Sequence, residues 1–206
     1  MIKEKDNRTE KAILDAALKV FTEKGFAATR MDHIAKEAKI NRALLHYYFR
    51  SKDKMFDLIF AQRINEFLSG IAQQMFSEKT LYEKIEAIVE HEINMLINHP
   101  HLPIFIFQEL AQNPNRIVEH AKKAGAHPGE LLKKFASQVK AEIKKGAIRN
   151  VEASHLLISI MSMAIYPFIA KPIIKGMLQL DDEEFKKLMR KRRQEVTEFI
   201  FKSLRP

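Results

Sequence analysis

A chain of 206 residues that is 46% hydrophobic, with 6 glycines and 7 prolines, has enough apolar material for a real core and is not a disordered tail. It contains no cysteine, which excludes a disulfide framework and thiolate metal sites and fits a reducing cytoplasm. The net charge of +9 favours an anionic partner, and residues 1–54 alone hold 13 Lys/Arg against 8 Asp/Glu, over half of the excess.

The N-terminal residues Met1 to Asn7 are polar and mixed in charge, so no signal peptide is expected. A first helix is expected to begin at Thr9 as N-cap and to bury Ile13, Ala17, Val20 and Phe21. Gly25 is expected to end it in the left-handed conformation, with Phe26 folded back on Phe21. The stretch Thr29 to Lys52 then reads as two very short helices and a turn. Ile34, Ala35 and Ala38 line the first, Ile40 sits in the turn, and Leu45, Tyr48 and Phe49 give the second its apolar face. Asn41 is placed to cap the second helix, and the small Ala35 allows a close, steep crossing. This pattern predicts a helix-turn-helix, whose second helix is presented to a DNA groove.

Ser51 caps the next predicted helix, from Lys52 to about Phe76, and another runs from Leu81 to Ile97. A short apolar segment from Leu102 to Leu110 follows, then a break at Asn113-Pro114 and a helix from Asn115. His127-Pro128-Gly129 interrupts that helix, which resumes from Glu130 to Lys145 and ends at Gly146. Further helices are expected over Val151 to Tyr166 and Asp182 to Ser203, with an irregular piece between Pro167 and Pro172. Neither strand alternation nor an internal repeat is visible. The longest apolar stretch, Leu156 to Ile174, is broken by Pro167, Lys171 and Pro172 and reads as a buried helix, not a membrane span. The expected fold is all-α with about nine helices: a DNA-binding head over residues 1–52 and a larger helical body over 53–206.

The run T-x-x-x-I-L-x-A-A-L-x-V-F-x-x-K-G-F-x-A-T-x-M-x-x-I-A-x-E-A-x-I-N-x-A-L-L-x-Y-Y-F-x-S-K-D-K-M-F, residues 9–56, resembles the DNA-binding domain of TetR-family transcriptional regulators. The resemblance implies a homodimeric, repressor-type regulator in the cytoplasm, whose C-terminal helices form the dimer and enclose an effector pocket. It implies double-stranded DNA with a near-palindromic operator as partner, a small-molecule effector, and no cofactor or membrane. Two positions depart from the family pattern. Lys39 stands where the family usually has glycine, and a left-handed lysine costs roughly 1 kcal/mol. Ala43-Leu44-Leu45-His46 replaces the usual small residue and Thr-Leu-Tyr, so the operator sequence cannot be borrowed.

Thr29, Arg30, Arg42, Ala43, Leu44, His46, Tyr47 and Lys52 are the candidate DNA contacts. Arg42 is suited to guanine and Ala43 or Leu44 to a thymine methyl. His46 and Tyr47 reach for phosphates, as do Thr29, Arg30 and Lys52 at helix starts. Phe60, Ile64, Phe67, His91, Met95, Phe105, Gln108, Met163 and Tyr166 are candidates to line a largely apolar effector pocket, since Met and aromatic side chains make adaptable walls. A solid core is the plainer reading of each apolar one. Leu156, Leu157, Ile160, Met163, Phe185, Leu188, Met189, Val196, Phe199 and Ile200 are candidates for a four-helix dimer interface. No i,i+4 histidine pair suggests a metal, and no nucleophile–base pattern or phosphate loop suggests an enzyme. The competing function is a helical ligand- or protein-binding module whose head has lost specific DNA binding.

Overall fold

The first helix, α1, runs over Ile2–Ala28 in the computed structural model, which describes residues 2–100, 102–112, 119 and 128–206. It starts about two turns before the expected cap, and Thr9 lies inside it. No glycine or proline interrupts residues 2–24, and the Lys, Glu and Arg there are good helix formers. Gly25 has φ 74° and ψ 163°, a glycine-only extended conformation and not the left-handed helical one expected, so the helix kinks there. Phe26 nevertheless packs on Phe21, with ring centroids 5.8 Å apart.

The following helices are α2 (Met31–Glu37), α3 (Arg42–Tyr48), α4 (Lys52–Met75), α5 (Leu81–Asn98) and α6 (Leu102–Gln112). Then come α7 (Pro128–Lys144), α8 (Ala153–Ile169), α9 (Lys171–Leu178) and α10 (Asp182–Leu204). These are ten helices without a strand among the described residues; the helix expected from Asn115 lies outside them. Pro128 and Gly129 stand in the first turn of α7, where proline is tolerated; the expected interruption before them lies outside the described residues.

The Pro167–Pro172 stretch is helical, against expectation. Pro167 lies inside α8, where its missing N–H frees the carbonyl of Met163. The Arg192 Nε–H of α10 donates to that carbonyl at 3.0 Å, replacing the lost bond. Pro172 falls in the first turn of α9, and the chain bends by 70° between α8 and α9. Among the described residues no single helix is long and apolar enough to cross a membrane.

The chain divides into two compact units, and the division differs from the expected boundary at residue 52. The first unit holds α1–α3, α4 as far as Ile64, and α6. Its core shows why. Phe21, Phe26, Phe56, Phe60 and Phe105 form one aromatic cluster with centroid separations of 4.8–6.1 Å, so α4 and α6 supply the rings that a three-helix head lacks.

The second unit holds the rest of α4, α5 and α7–α10. Its centre is α5, capped by Thr80 and Glu83, which presents Leu81, Ile85, Ile88, Val89 and Leu96 to α8 and α10. The buried Lys84 ammonium closes the end of α4 by donating to the Met75 carbonyl at 3.1 Å. Phe168 of α8 meets Phe185 of α10 edge-on, and Tyr82 meets Phe201 likewise.

Candidate nucleic-acid interface

The turn between α2 and α3 is built from hydrogen bonds that the sequence around it dictates. Ile40 N–H donates to Ala35 O at 3.0 Å and Lys39 N–H to Lys36 O at 3.2 Å, a Schellman closure with Lys39 in the left-handed conformation, φ 55°. Asn41 then caps α3, its side chain accepting from Leu44 N–H at 2.7 Å. At the start of α2, Arg30 N–H donates to His33 Nδ1 at 3.3 Å. Ile34, Ala35, Leu45 and Phe49 are buried and lock the two helices together, while Ala38 and Tyr48 are half-buried.

With Leu45 fixed inward, α3 turns Arg42, Ala43, Leu44, His46 and Tyr47 outward, the arrangement expected of a recognition helix. Tyr47 is 76% exposed and stands edge-on to Tyr48 at 5.3 Å. Arg42 is exposed and paired with Asp32 of α2 at 3.4 Å, an acidic neighbour that the sequence reading missed. Arg30 is exposed as well.

Two expected phosphate contacts point elsewhere. Thr29 is 1% exposed, and its hydroxyl donates to the Gly25 carbonyl at 2.7 Å. The Lys52 ammonium lies 4.4 Å over the Phe26 ring and donates to the carbonyls of Phe26, Thr29 and Ala27 at 2.9, 3.2 and 3.4 Å. An ammonium has three donors, and all are engaged within the protein. Thr29 and Lys52 therefore tie the end of α1 to α2 and α4, and are unavailable to a ligand in this conformation.

Residues 13–59, which span this whole arrangement, match the family model described as bacterial regulatory proteins, tetR family. The chain is 27% identical over 180 residues to the uncharacterised HTH-type transcriptional regulator YhgD of Bacillus subtilis, covering 83% of this chain and 93% of that protein. The ketosteroid transcriptional regulator KstR2 of Mycobacterium tuberculosis has the same fold, with a TM-score of 0.71 at 16% identity over 96% of this chain and 95% of that one. The transcriptional regulator FadR of Bacillus subtilis, solved with stearoyl-CoA, aligns with a TM-score of 0.61 at 18% identity over 94% and 98% of the two chains. Residues 13–59 thus match the DNA-binding domain of the tetR family, and the chain as a whole shares the fold of these regulators.

The body residues singled out from sequence are scattered. Phe60, Ile64 and Phe105 are buried in the first unit, Phe60 and Phe105 within its aromatic cluster, and Gln108 is exposed. In the second unit Met95 is buried, and Phe67, His91 and Met163 are half-buried. Tyr166 is 62% exposed and lines no interior. His91 packs directly over Gly70, where a Cβ would lie 1.9 Å from its Nε2. Three clefts of about 610, 440 and 480 Å³ in this unit are walled by other residues, the largest by Leu132, Val139 and Ile143 of α7 with residues 150–154.

Six of the dimer candidates, Leu156, Ile160, Phe185, Met189, Val196 and Ile200, are buried in the protein's own core and cannot meet a second copy. Leu157, Met163 and Leu188 are half-buried, and Phe199 is 62% exposed. Periodicity finds an apolar face without telling which of two faces packs at home. On α8 both are apolar, and Ile158 and Tyr166 lie exposed opposite the buried Leu156, Ile160 and Ala164.

The Lys186–Arg193 run of α10 is partly engaged, not a bare cationic strip. Arg193 binds Glu90 at 3.2 Å and Asn94 at 3.1 Å on α5, and Lys186 pairs with Glu183. Glu92, which sequence reasoning weighed only as a metal ligand beside His91, His99 and His101, is fully buried, with neither carboxylate oxygen bonded to another of the described residues. The signal was there: Glu92 occupies a core position in the run Leu81, Ile85, Ile88 at helical spacing.

Proposed function

We propose that this chain is a TetR-family repressor that binds a near-palindromic operator as a homodimer, inserting α3 of each copy into successive major grooves. The observation that carries this is the outward face of α3, where Arg42, Ala43, Leu44, His46 and Tyr47 are all exposed on a helix pinned from behind by Leu45. In this reading Arg42 leaves Asp32 to reach a guanine edge, Ala43 and Leu44 meet thymine methyls, and His46, Tyr47 and Arg30 take phosphates. Asp32 then weakens binding to wrong sequences, because Arg42 gives up an ion pair that only a good base contact replaces.

The second copy packs against the exposed apolar face of α8 and the adjoining ridge of α10, around Ile158, Tyr166, Leu188 and Phe199. A largely apolar effector binds in the second unit around α5. It favours a conformation of the dimer whose two heads no longer match the operator spacing, so occupancy falls. The stearoyl-CoA held by FadR supports an apolar body for such a ligand.

Selection from a pool of random duplexes tests the proposal. Enrichment of a two-fold symmetric motif with half-sites about one helical turn apart is expected. Failure to enrich any motif would leave the chain as a helical binding module without an operator.

A further inference from the structure

The buried side chains of α5 are apolar except for Lys84 and Glu92. Glu92 is 0% exposed, and neither of its oxygens has a hydrogen-bond partner among the described residues. Burial pushes its pKa up to about 8. The other buried ion of the same helix is handled differently, since Lys84 has the Met75 carbonyl to receive its proton donor. A lone carboxyl in an apolar core destabilises the fold and gives no structural return, the pattern expected of a group kept for a ligand.

We infer that Glu92 is the polar anchor of the effector site, receiving the cationic N–H head of an otherwise apolar molecule, such as a long-chain amine. This rests on the reading of the body as an effector-binding unit and adds the class of ligand. An ammonium supplies the positive charge that the protein withholds, and its several donors suit two oxygens that are both unoccupied by the protein. As the pair forms, the carboxyl releases its proton to solvent. A fatty carboxylate is refused at this position, because it would shed its hydration in an apolar core where the neutral Glu92 carboxyl offers one proton and no positive charge. Ile88, Val89 and Leu96, one helical turn to either side of Glu92 and themselves buried, make its surroundings apolar.

The test uses the full chain and its Glu92→Gln variant, which keeps the side chain's shape, with dodecylamine, 1-dodecanol and dodecanoate as probes in titration calorimetry below their micellar concentrations. The wild-type protein should bind dodecylamine at least about tenfold more tightly than dodecanol, the worth of one charge-assisted bond, and exclude dodecanoate. About one proton should be released on amine binding, read from the dependence of the heat on buffer ionisation. Glu92→Gln should lose the tenfold preference and the proton release while its dodecanol affinity stays unchanged. Equal amine affinity in the two proteins, or a preference for dodecanoate, overturns the assignment and leaves the effector-binding body standing. Binding of none of the three probes by either protein overturns both.

Discussion

Lys39 holds a left-handed conformation that a glycine would adopt without steric cost, and the rest of the turn is closed by ordinary backbone bonds. Lys39→Gly should therefore stabilise the first unit by about 1 kcal/mol, visible as a higher midpoint in urea denaturation. Lys52 makes a sharper case, because its positive charge at the start of α4 invites a phosphate while its three donors close on backbone carbonyls. Lys52→Met should cost roughly 1–3 kcal/mol of stability. If the variant is assayed where it remains folded, the slope of log affinity for duplex DNA against log salt should be unchanged; a slope reduced by about one unit would restore Lys52 to the phosphate contacts. The Asn41 cap and the inward Leu45 were legible in sequence because both depend on neighbours three or four residues away. Thr29 and Lys52 were not, because their partners lie at positions fixed by the kink at Gly25 and by the return of α4.

At the scale of the helices, α5 carries the most telling departure from its own pattern. Glu92 has a folded-state pKa of about 8 against an ordinary value of 4.5. The folded protein thus holds a proton that the unfolded chain gives up. Its contribution to stability is fully present below pH 4.5 and is lost as the pH rises toward 8. The wild-type melting temperature should fall across that window relative to Glu92→Gln, measured side by side by circular dichroism; parallel curves would show that the carboxyl finds a partner in solution.

The helix α8 carries a second compensation. Arg192 supplies the donor that Pro167 removes from the Met163 carbonyl, so Arg192→Met should destabilise the protein by about 1–3 kcal/mol in urea denaturation. Helix positions in the body were readable because apolar residues recur at helical spacing over long runs. The continuity of α8 through Pro167 was not, since the compensating donor comes from 25 residues further on.

For the whole molecule, the aromatic cluster that joins α1, α4 and α6 explains why the head does not stop where its motif stops. A motif marks residues that face outward or contact one another locally, whereas Phe105 enters from a short apolar segment whose pattern does not say which core it joins. The apolar faces of α8 and α10 were equally visible, but sequence cannot separate burial within a copy from burial between copies. Replacing Ile158 and Phe199 together by glutamate should turn a dimer into a folded monomer in sedimentation velocity and weaken operator binding. Leu156→Glu should instead unfold the second unit, because Leu156 is 5% exposed within the protomer.

The central claim is that α3 reads DNA. Fluorescence anisotropy of labelled duplexes drawn from the region around the protein's own gene, at two salt concentrations, addresses it directly with Arg42→Ala and Tyr47→Ala alongside the wild-type chain. The account predicts selective binding that weakens with salt, a loss of about 1–3 kcal/mol and of selectivity in Arg42→Ala, and a weaker, sequence-independent loss in Tyr47→Ala. Binding that is absent, or equal for all duplexes and indifferent to both substitutions, would contradict it.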